Sequence, residues 1–524
     1  MKPFDSHGDF HPLAENDGIR LLAVRGAGAT LFSSAMGLAV QIIATVTLAR
    51  MLTPADFGLV TMVTTFSLLL LNFGINGFTE GIVQRPQITH AMASNLFWIN
   101  LGIGTLLTLL FAAAGHLLAW FYGDPRVALV AVGVSISIFL TSLSVIHLAL
   151  LKRAMRFTVV SANDLLARAA AVGLSILLAW AGWGYWSLVA GAIVTPLVWV
   201  LGSWYLCRWV PGPPRRVEGT ASLFRFALHI YGRFSVNYFA RNMDNLLVGW
   251  RFNAQALGFY KKAYDLFALS AGQLISPISV VAVAALSRFH NDAVQYRRYL
   301  LTSLGVVAFV GMGVGADLTL VGKDIIRVLL GPGWEATSRI FTFFGPGIGI
   351  MLLYFTHGWI HLSIGKAERW FRWGIVEFVV TGLLFVLGLH WGPVGVAVAW
   401  TASFWILTIP AFWYAGQPIQ FGVLPVIAVV WRYLLASVLA AILSGLLLRQ
   451  LPLLTAAPGA LGAFLRILAV SALFAILYFA AVVLLHRSFD PLQRVLRLLK
   501  EMAPKGMLAR QAPPPAPGIE EAKL

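Results

Sequence analysis

The strongest constraint in this sequence is a succession of long apolar runs. An α-helix needs about 20 apolar residues to cross the hydrocarbon core of a bilayer. Fourteen such runs follow one another, mostly with short polar gaps, at 26–49, 57–80, 94–120, 127–150, 159–180, 184–206, 223–249, 258–286, 299–321, 337–363, 371–390, 393–415, 424–448 and 460–486. Because unpaired backbone groups are costly in lipid, each run is expected to be helical. The sequence predicts an all-α polytopic membrane protein with about 14 transmembrane helices.

Composition excludes a soluble enzyme, a DNA-binding regulator and a secreted module. Hydrophobic residues make up 59% of the chain and charged residues 11%, whereas soluble domains carry about 25% charged residues. The single cysteine, Cys207, excludes an intramolecular disulfide and a CxxC pair. Residues 1–25 are polar and lack an apolar core region, so they are predicted to be a cytoplasmic N-terminal segment and not a cleavable signal peptide.

The distribution of basic residues predicts the orientation. With the N-terminus in the cytoplasm, the inner loops hold 14 Lys and Arg residues and the outer loops hold 7. Cytoplasmic loops are generally enriched in these residues, so both termini are expected to be cytoplasmic. The net charge of +17 is explained by such loops, or by an interior that handles an anionic substrate, and nucleic acid is not predicted as a partner.

The connections divide the chain into segments. Residues 207–222 form the longest Pro-rich polar connection between spans, and they are predicted to separate an N-lobe (26–206) from a C-lobe (223–415). Two further helices are expected within 424–486. Residues 488–502 place apolar side chains on one face and basic side chains on the other, which predicts an amphipathic surface helix. Residues 503–524 are predicted to be a disordered tail.

The two lobes show a weak internal repeat. Phe57-Gly58 has a counterpart in Leu257-Gly258, 200 residues later; Gly123-Asp124-Pro125 and Gly331-Pro332, and likewise Trp183-Gly184-Tyr185 and Trp391-Gly392-Pro393, are 208 apart. A six-helix unit returns the chain to the side on which it began. The repeat therefore predicts two six-helix lobes in parallel orientation, related by an axis along the membrane normal, as in secondary transporters.

The seventh predicted span carries the densest set of polar residues. Arg233, Asn237, Arg241 and Asn245 recur every fourth residue and share one helix face, with Asp244 beside them. Charged side chains at bilayer depth usually face a cavity or a partner. One interpretation is a cationic cavity wall that binds phosphate or an acidic sugar. The alternative is an internal Arg–Asp pair with amide cross-links that fix helix packing.

Other intramembrane polar residues give weaker hypotheses. Asn72 and Asn76 in the second span are candidate cavity residues, and Lys261 and Lys262 in the eighth would meet phosphate or lipid headgroups. Five acids are candidate ion-coupling residues: Glu80, Asp164, Asp265, Asp317 and Glu377. For Asp164 a structural pair with Arg168 is favoured, and for Glu80 a place at the cytoplasmic rim is the alternative.

The sequence predicts neither a metal site nor a cofactor. His357 and His361 lie four residues apart without a third ligand, so no metal site is predicted. Tryptophans near span ends are expected to be interface anchors: Trp98, Trp120, Trp204 and Trp359. No Gly-rich phosphate-binding loop or GxSxG motif is present, so neither a cofactor nor ATP drive is predicted.

Several segments resemble the bacterial polysaccharide (O-antigen and exopolysaccharide) flippase family. They are 48–62 (LARMLTPADFGLVTM), 82–104, 241–262 (RNMDNLLVGWRFNAQALGFYKK), 275–288, 327–339 and 389–399, and the resemblance extends over about 22–415. It implies membership of the multidrug/oligosaccharidyl-lipid/polysaccharide exporter superfamily, with two six-helix lobes. The seventh-span pattern of that family falls on Arg241, Asn242, Asp244 and Asn245.

The resemblance also implies a function. A flippase of this family moves an undecaprenyl-diphosphate-linked oligosaccharide from the cytoplasmic to the outer leaflet of the bacterial inner membrane by alternating access, without enzymatic chemistry. Polysaccharide polymerase and export machinery are implied partners. A cation-coupled drug exporter of the same superfamily would favour acids over arginines in its cavity. A membrane-embedded polymerase or ligase would usually carry a large soluble loop, and no loop here is long enough.

Overall fold

The computed structural model describes residues 3–10, 16–85, 87–215, 220–450, 459–490 and 493. Its regular structure is helical, apart from two isolated β-bridges. The N-lobe contains α1 (Asn16–Met51), α2 (Pro54–Gln84), α3 (His90–Tyr122), α4 (Arg126–Arg153), α5 (Phe157–Trp180) and α6 (Trp186–Cys207). The C-lobe contains α7 (Thr220–Arg251), α8 (Ala254–Arg288), α9 (Ala293–Leu329), α10 (Glu335–Phe355), α11 (His357–Ser363), α12 (Ala367–Gly388) and α13 (Gly392–Gly416). Two more helices follow, α14 (Leu424–Arg449) and α15 (Gly459–His486).

The helices follow the apolar runs of the sequence, with the tenth run divided between α10 and α11. Eleven helical segments in the described part are long and apolar enough to cross a membrane, and one of them, Ala367–Ile419, comprises both α12 and α13. The more polar α7 and α8 are not among the eleven. The prediction of an all-α polytopic protein is confirmed, and the count of 14 spans stays a prediction.

Turns at matching places in the two lobes share an unusual backbone conformation. Gly123 and Gly331, which follow α3 and α9, have φ angles of 69° and 87°. Gly184, two residues before α6, and Gly392, the first residue of α13, have φ angles of 52° and 74°. Such positive values are readily adopted by glycine because it has no Cβ. The glycines of two predicted repeat matches thus share a positive φ angle.

The third match lies at a crossing between the lobes, where α2 meets α8. A Cβ on Gly58 would lie 1.6 Å from the carbonyl oxygen of Ala254, and a Cβ on Gly258 would lie 1.8 Å from that of Pro54. Each glycine thus packs against the first residue of the opposite helix. The contact therefore stays the same when the two helices are exchanged. A twofold axis between the lobes produces such a contact, so the crossing supports a parallel repeat.

Further contacts join the lobes near this crossing. The indole nitrogen of Trp334 donates to the carbonyl oxygen of Ala49 at 3.0 Å, and the Trp334 ring lies edge-on to Phe57. The guanidinium of Arg50 donates to the carbonyl oxygen of Val328 at 2.7 Å. Ala49 and Arg50 lie in the last turn of α1, and Val328 and Trp334 lie at or just after the end of α9, on the predicted outer side. The lobes are therefore closed against each other at that side.

The connection between the lobes begins as part of the N-lobe. The backbone amide of Gly212 donates to the hydroxyl of Ser94 at 2.9 Å, and the indole of Trp98 donates to the carbonyl of Gly212 at 2.8 Å. The amide of Arg215 donates to the side-chain oxygen of Asn95 at 2.9 Å. Residues 207–215 are thus attached to α3, while 216–219 lie outside the described residues.

Part of the predicted N-terminal segment is attached to the same end of the N-lobe. Phe4 and Phe10 are joined by a β-bridge and pack edge to face. The carbonyl of Gly8 accepts from the amide of His90 at 2.7 Å, and the guanidinium of Arg153 lies 5.0 Å from the Phe10 ring centroid. The sequence did not predict this contact, because two phenylalanines in a polar stretch give no periodic pattern.

The last two helices pack on the C-lobe through α9. Arg466 of α15 forms an ion pair with Asp324 at 2.6 Å, and the hydroxyl of Ser471 donates to Asp317 at 3.0 Å. Asp317, a candidate ion-coupling acid, therefore faces α15. The predicted amphipathic helix at 488–502, apart from its first three residues and 493, and the predicted tail at 503–524 lie outside the described residues.

Candidate functional site

Two cavities lie beside α8, on different faces of the helix. Tyr264 and Ala268 line one of them, while Asp265 and Leu269 line the other. Adjacent residues of an α-helix point about 100° apart, so one helix can face both cavities. We call the first the C-lobe cavity, because α7, α8 and α10–α13 line it, and the second the N-lobe cavity, because α1, α2 and α4–α6 supply the rest of its wall.

The N-lobe cavity is rich in hydroxyl and amide groups. It has a volume of about 630 Å³, and its neutral polar lining includes Thr30, Ser33, Ser34, Gln41, Ser161 and Asn163. Its charged lining residues are Lys152, Asp164, Arg168 and Asp265. Arg168 and Asp164 form an ion pair at 2.9 Å, as the sequence predicted. This cavity offers many hydrogen bonds and balanced charge.

The C-lobe cavity is mainly aromatic. Its volume is about 440 Å³, and its aromatic lining includes Tyr264, Phe267, Trp359, Trp370, Trp400 and Phe404. Arg241 of α7 and Glu377 of α12 are its charged lining residues. An apolar cavity with a few convergent polar groups has the usual composition of a small-molecule site, and its volume lies within the usual range of about 300–1,000 Å³.

Arg241 is the charged residue of α7 that lines this cavity. Its guanidinium carbon lies 5.3 Å from the centroid of the Phe355 ring, within the range of a cation–π contact. Among the described side chains, Arg241 forms no ion pair with a carboxylate. Its hydrogen-bond donors are therefore available to a molecule in the cavity.

Asp244 does not pair with Arg241. Its side chain is fully buried, and its carboxylate accepts from the hydroxyl of Tyr260 and from the amide of Asn245, both at 2.8 Å. Asp244 thus joins α7 to α8 away from the cavities, and Asn245 is buried as well. The Arg–Asp pair considered as the structural alternative does not form. The side chains of Arg233 and Asn237 lie outside the described part of the structure.

The two lysines of α8 have intramolecular contacts outside both cavities. Lys261 forms an ion pair with Asp265 at 2.7 Å. The ammonium of Lys262 lies 3.9 Å from the centroid of the Phe57 ring, which belongs to the N-lobe. Asp265 lines the N-lobe cavity and is also the carboxylate that pairs with Lys261. The lysines therefore stabilise the α2–α8 region, and neither lines a cavity.

The remaining predicted residues are dispersed. The amide of Asn72 donates to the carbonyl of Leu68 in its own helix at 2.7 Å. The side chain of Asn76 lies outside the described residues, and Glu80 is exposed on α2. Glu377 lies in the C-lobe cavity, where its carboxylate interacts with the hydroxyl of Tyr354 and with Arg241. The structure thus brings together Arg241 and Glu377, which the sequence had placed in separate hypotheses.

Comparison with known proteins assigns this architecture to a family. The family described as "Polysaccharide biosynthesis protein" matches residues 47–339, more than half of the chain. The chain belongs to this family. This polysaccharide biosynthesis protein is 22% identical to the "Succinoglycan biosynthesis transport protein ExoT" of Rhizobium meliloti (strain 1021), over 93% of this chain and 98% of that one. It is 21% identical to the "Lipopolysaccharide biosynthesis protein WzxC" of Escherichia coli (strain K12), over 61% of this chain and 65% of that one.

Solved structures agree on the fold. "Lipid II flippase MurJ, inward closed conformation" matches with a TM-score of 0.69 and 15% identity, over 88% of this chain and 99% of that one. An inward-facing "multidrug resistance MATE family transporter of the MOP superfamily" matches with a TM-score of 0.57 and 13% identity, over 73% and 94%. The resemblance to the polysaccharide flippase family is thus confirmed. The polysaccharide biosynthesis protein is a multi-pass membrane protein, and it shares its fold with the solved lipid II flippase and with the MATE transporter of the MOP superfamily.

Sequence reasoning missed most of the lining of both cavities in this polysaccharide biosynthesis protein. For the N-lobe cavity a signal existed: Thr30, Ser33, Ser34, Gly37 and Gln41 fall on one face of the first span at helical spacing. For the C-lobe cavity there was little, because aromatic residues are as common in lipid contacts as in binding sites.

One of these aromatic residues overturns an expectation. Trp359 was predicted to be an interface anchor. It is buried, with 3% of its surface exposed, and its indole donates to the hydroxyl of Ser279 at 2.9 Å. The prediction was wrong because Trp359 lies on α11, where it packs against α8 and not against lipid.

Proposed function

We propose that this chain moves an undecaprenyl-diphosphate-linked oligosaccharide from the cytoplasmic to the outer leaflet of the bacterial inner membrane. The product would serve exopolysaccharide, capsule or O-antigen synthesis, and the polymerase and export machinery would be its partners. The chain acts by alternating access between its lobes, without a cofactor and without chemistry on the glycan. The observation that carries the proposal is Arg241, a cation that forms no ion pair among the described residues, at the wall of a cavity inside a polysaccharide biosynthesis protein.

The physical problem of such a substrate is its head group. A diphosphate-linked sugar cannot enter hydrocarbon without losing its hydration, and transferring unpaired charge into an apolar medium is very unfavourable. The polar and charged groups that line the cavities replace part of that hydration, while the polyprenyl tail can stay in the bilayer. A guanidinium suits such a head group, because it can form two parallel hydrogen bonds to a phosphate or a carboxylate. Arg241 would therefore contact the diphosphate or an acidic sugar.

A second function has one observation in its favour. Glu377 shares the cavity with Arg241, and an acid in a cavity is what a cation-coupled exporter of small molecules would use. Arg241 opposes that reading, because a guanidinium at the same wall repels an organic cation. The two functions differ in their dependence on Arg241.

Orientation is part of the proposal and has its own test. We expect both termini and the inter-lobe connection to lie in the cytoplasm, because the Lys and Arg residues concentrate in the corresponding loops. Reporter fusions after Gly219 and at the C-terminus should both show cytoplasmic activity. A periplasmic signal at either fusion would contradict the orientation, and a signal that differs between the two would contradict the even number of spans between them.

Substitutions of Arg241 test the function. Arg241→Ala should lower polysaccharide export roughly tenfold to a hundredfold, since hydrogen bonds to charged groups contribute about 1.5–3 kcal/mol. Arg241→Lys should give an intermediate loss, because it keeps the charge and loses the planar fork. Export is measured in a strain from which the gene for this protein has been deleted. It is normalised to the amount of each variant in the membrane. Membrane abundance should stay near normal, because Asp244 keeps its bonds to Tyr260 and Asn245.

The matched control is Arg372→Ala. Arg372 pairs with Glu368 at an exposed position near the start of α12, so its loss should leave export unchanged. Normal export by Arg241→Ala would contradict the role of Arg241. A second result would contradict it as well: Arg241→Ala lowers membrane abundance, and adding Asp244→Ala restores both abundance and export. The arginine would then be needed only to pair with the aspartate.

A further inference from the structure

The aromatic rings of the C-lobe cavity are held in place by their own contacts. Trp370 lies against the backbone at Gly358, where an added Cβ would come within 3.1 Å of the indole ring. Trp400 packs edge-on to Phe267, with ring centroids 4.7 Å apart. Trp359 is fixed by its hydrogen bond to Ser279. The cavity therefore presents flat apolar surfaces that are already ordered before a ligand enters.

The two charged groups of this cavity belong to different helices, and they interact electrostatically without direct contact. Arg241 and Glu377 form no ion pair among the described side chains. Glu377 interacts with the hydroxyl of Tyr354, and that hydroxyl in turn accepts from the indole of Trp373 at 2.8 Å. A planar guanidinium that donates hydrogen bonds and a planar carboxylate that accepts them thus line the same cavity.

This combination selects a particular ligand chemistry. The ring of a hexose has apolar C–H faces that pack on aromatic rings, and its edge carries hydroxyl groups that both donate and accept hydrogen bonds. A carboxylate accepts from neighbouring hydroxyls, and a guanidinium donates to them. A diphosphate fits poorly, because it has no apolar face and would be placed near Glu377. The N-lobe cavity has one aromatic residue in its lining, Trp199, and offers no comparable platform.

We propose that the C-lobe cavity is a subsite for an uncharged pyranose ring of the transported glycan, with aromatic rings against its faces and Arg241 and Glu377 at its hydroxyl edge. The inference rests on the proposed function and replaces one of its contacts, because Arg241 here meets the hydroxyl edge of a neutral sugar and neither a phosphate nor an acidic sugar. It assigns Arg241 to the sugar and places the diphosphate outside this cavity. An amphipathic aromatic cavity also allows different neutral hexoses to bind, since stacking does not depend on one hydroxyl configuration.

Binding of simple glycosides tests the subsite. The full chain in lipid nanodiscs is titrated with the methyl glycosides of glucose, galactose and mannose, and binding is followed by calorimetry. At least one glycoside should bind saturably. Trp370→Leu should weaken binding about twofold to tenfold, since favourable aromatic contacts contribute about 0.5–1.5 kcal/mol, and Trp370→Phe should restore most of it. Glu377→Gln should also weaken binding.

The control variant is Trp180→Leu, whose indole is 81% exposed on the outside of α5, and it should bind like the unmodified chain. Inorganic pyrophosphate should not compete with the glycoside. Three results would overturn the subsite: no glycoside binds, pyrophosphate displaces the bound glycoside, or tetraphenylphosphonium binds in a manner that depends on Glu377. If the unmodified chain translocates a lipid-linked glycan and yet binds no glycoside, the subsite fails and the proposed function stands. If it does not translocate, the function itself fails.

Discussion

Gly58→Ala is expected to lower polysaccharide export by tenfold or more while the protein still reaches the membrane. The added Cβ would lie 1.6 Å from the carbonyl oxygen of Ala254, which is a backbone atom of the other lobe and cannot rotate away. Overpacking of a close contact costs about 1–3 kcal/mol, and here the cost falls on one conformation, the one in which the lobes meet at this crossing. Gly258→Ala should act in the same way, because the contact is symmetric.

The matched control for this pair is Gly102→Ala. Gly102 lies within α3, and a Cβ there would meet nothing within 4 Å, so export should be unchanged. Normal export by both Gly58→Ala and Gly258→Ala would show that the crossing does not have to close during transport.

Chemical labelling can show directly whether Gly58→Ala separates the lobes at this crossing. Cys207 is the only cysteine, so a Cys207→Ser background allows single probes to be introduced. Ala49→Cys should be protected from a membrane-impermeant maleimide, because Ala49 is buried and its carbonyl accepts from Trp334. Gly58→Ala should increase labelling of Ala49→Cys. Unchanged protection would mean that the methyl group is accommodated without separation of the lobes.

The fold was largely predictable because its main constraint is one-dimensional. Hydrocarbon thickness fixes the length of a span, so apolar runs reveal helices without knowledge of their neighbours. The repeat could be detected because Gly123, Gly184 and their counterparts have backbone conformations that suit glycine. The match between Gly58 and Gly258 could be detected for a different reason, because only a residue without a Cβ permits the close contact at these positions.

The site was less predictable because helical spacing reports which residues share a face and not what that face meets. Arg241 and Asn245 share the face predicted for them, yet Arg241 lines a cavity and Asn245 is buried. The partner of Asp244 is Tyr260, which lies on the next helix and has no periodic relation to it. Glu377 is far from Arg241 in sequence, so its place in the same cavity required the packing of α12 against α7.

We propose that the chain alone moves a lipid-linked glycan between leaflets without altering it. The most direct test is reconstitution in liposomes that contain a fluorescent undecaprenyl-diphosphate oligosaccharide, with dithionite added outside. With the unmodified chain, the inner-leaflet population should lose its protection from dithionite, because an alternating-access cycle exchanges lipid between leaflets. Gly58→Ala and protein-free liposomes should retain that protection. The account would be contradicted if the unmodified chain left the protected fraction unchanged, or if mass spectrometry showed that the recovered glycan had been lengthened or transferred.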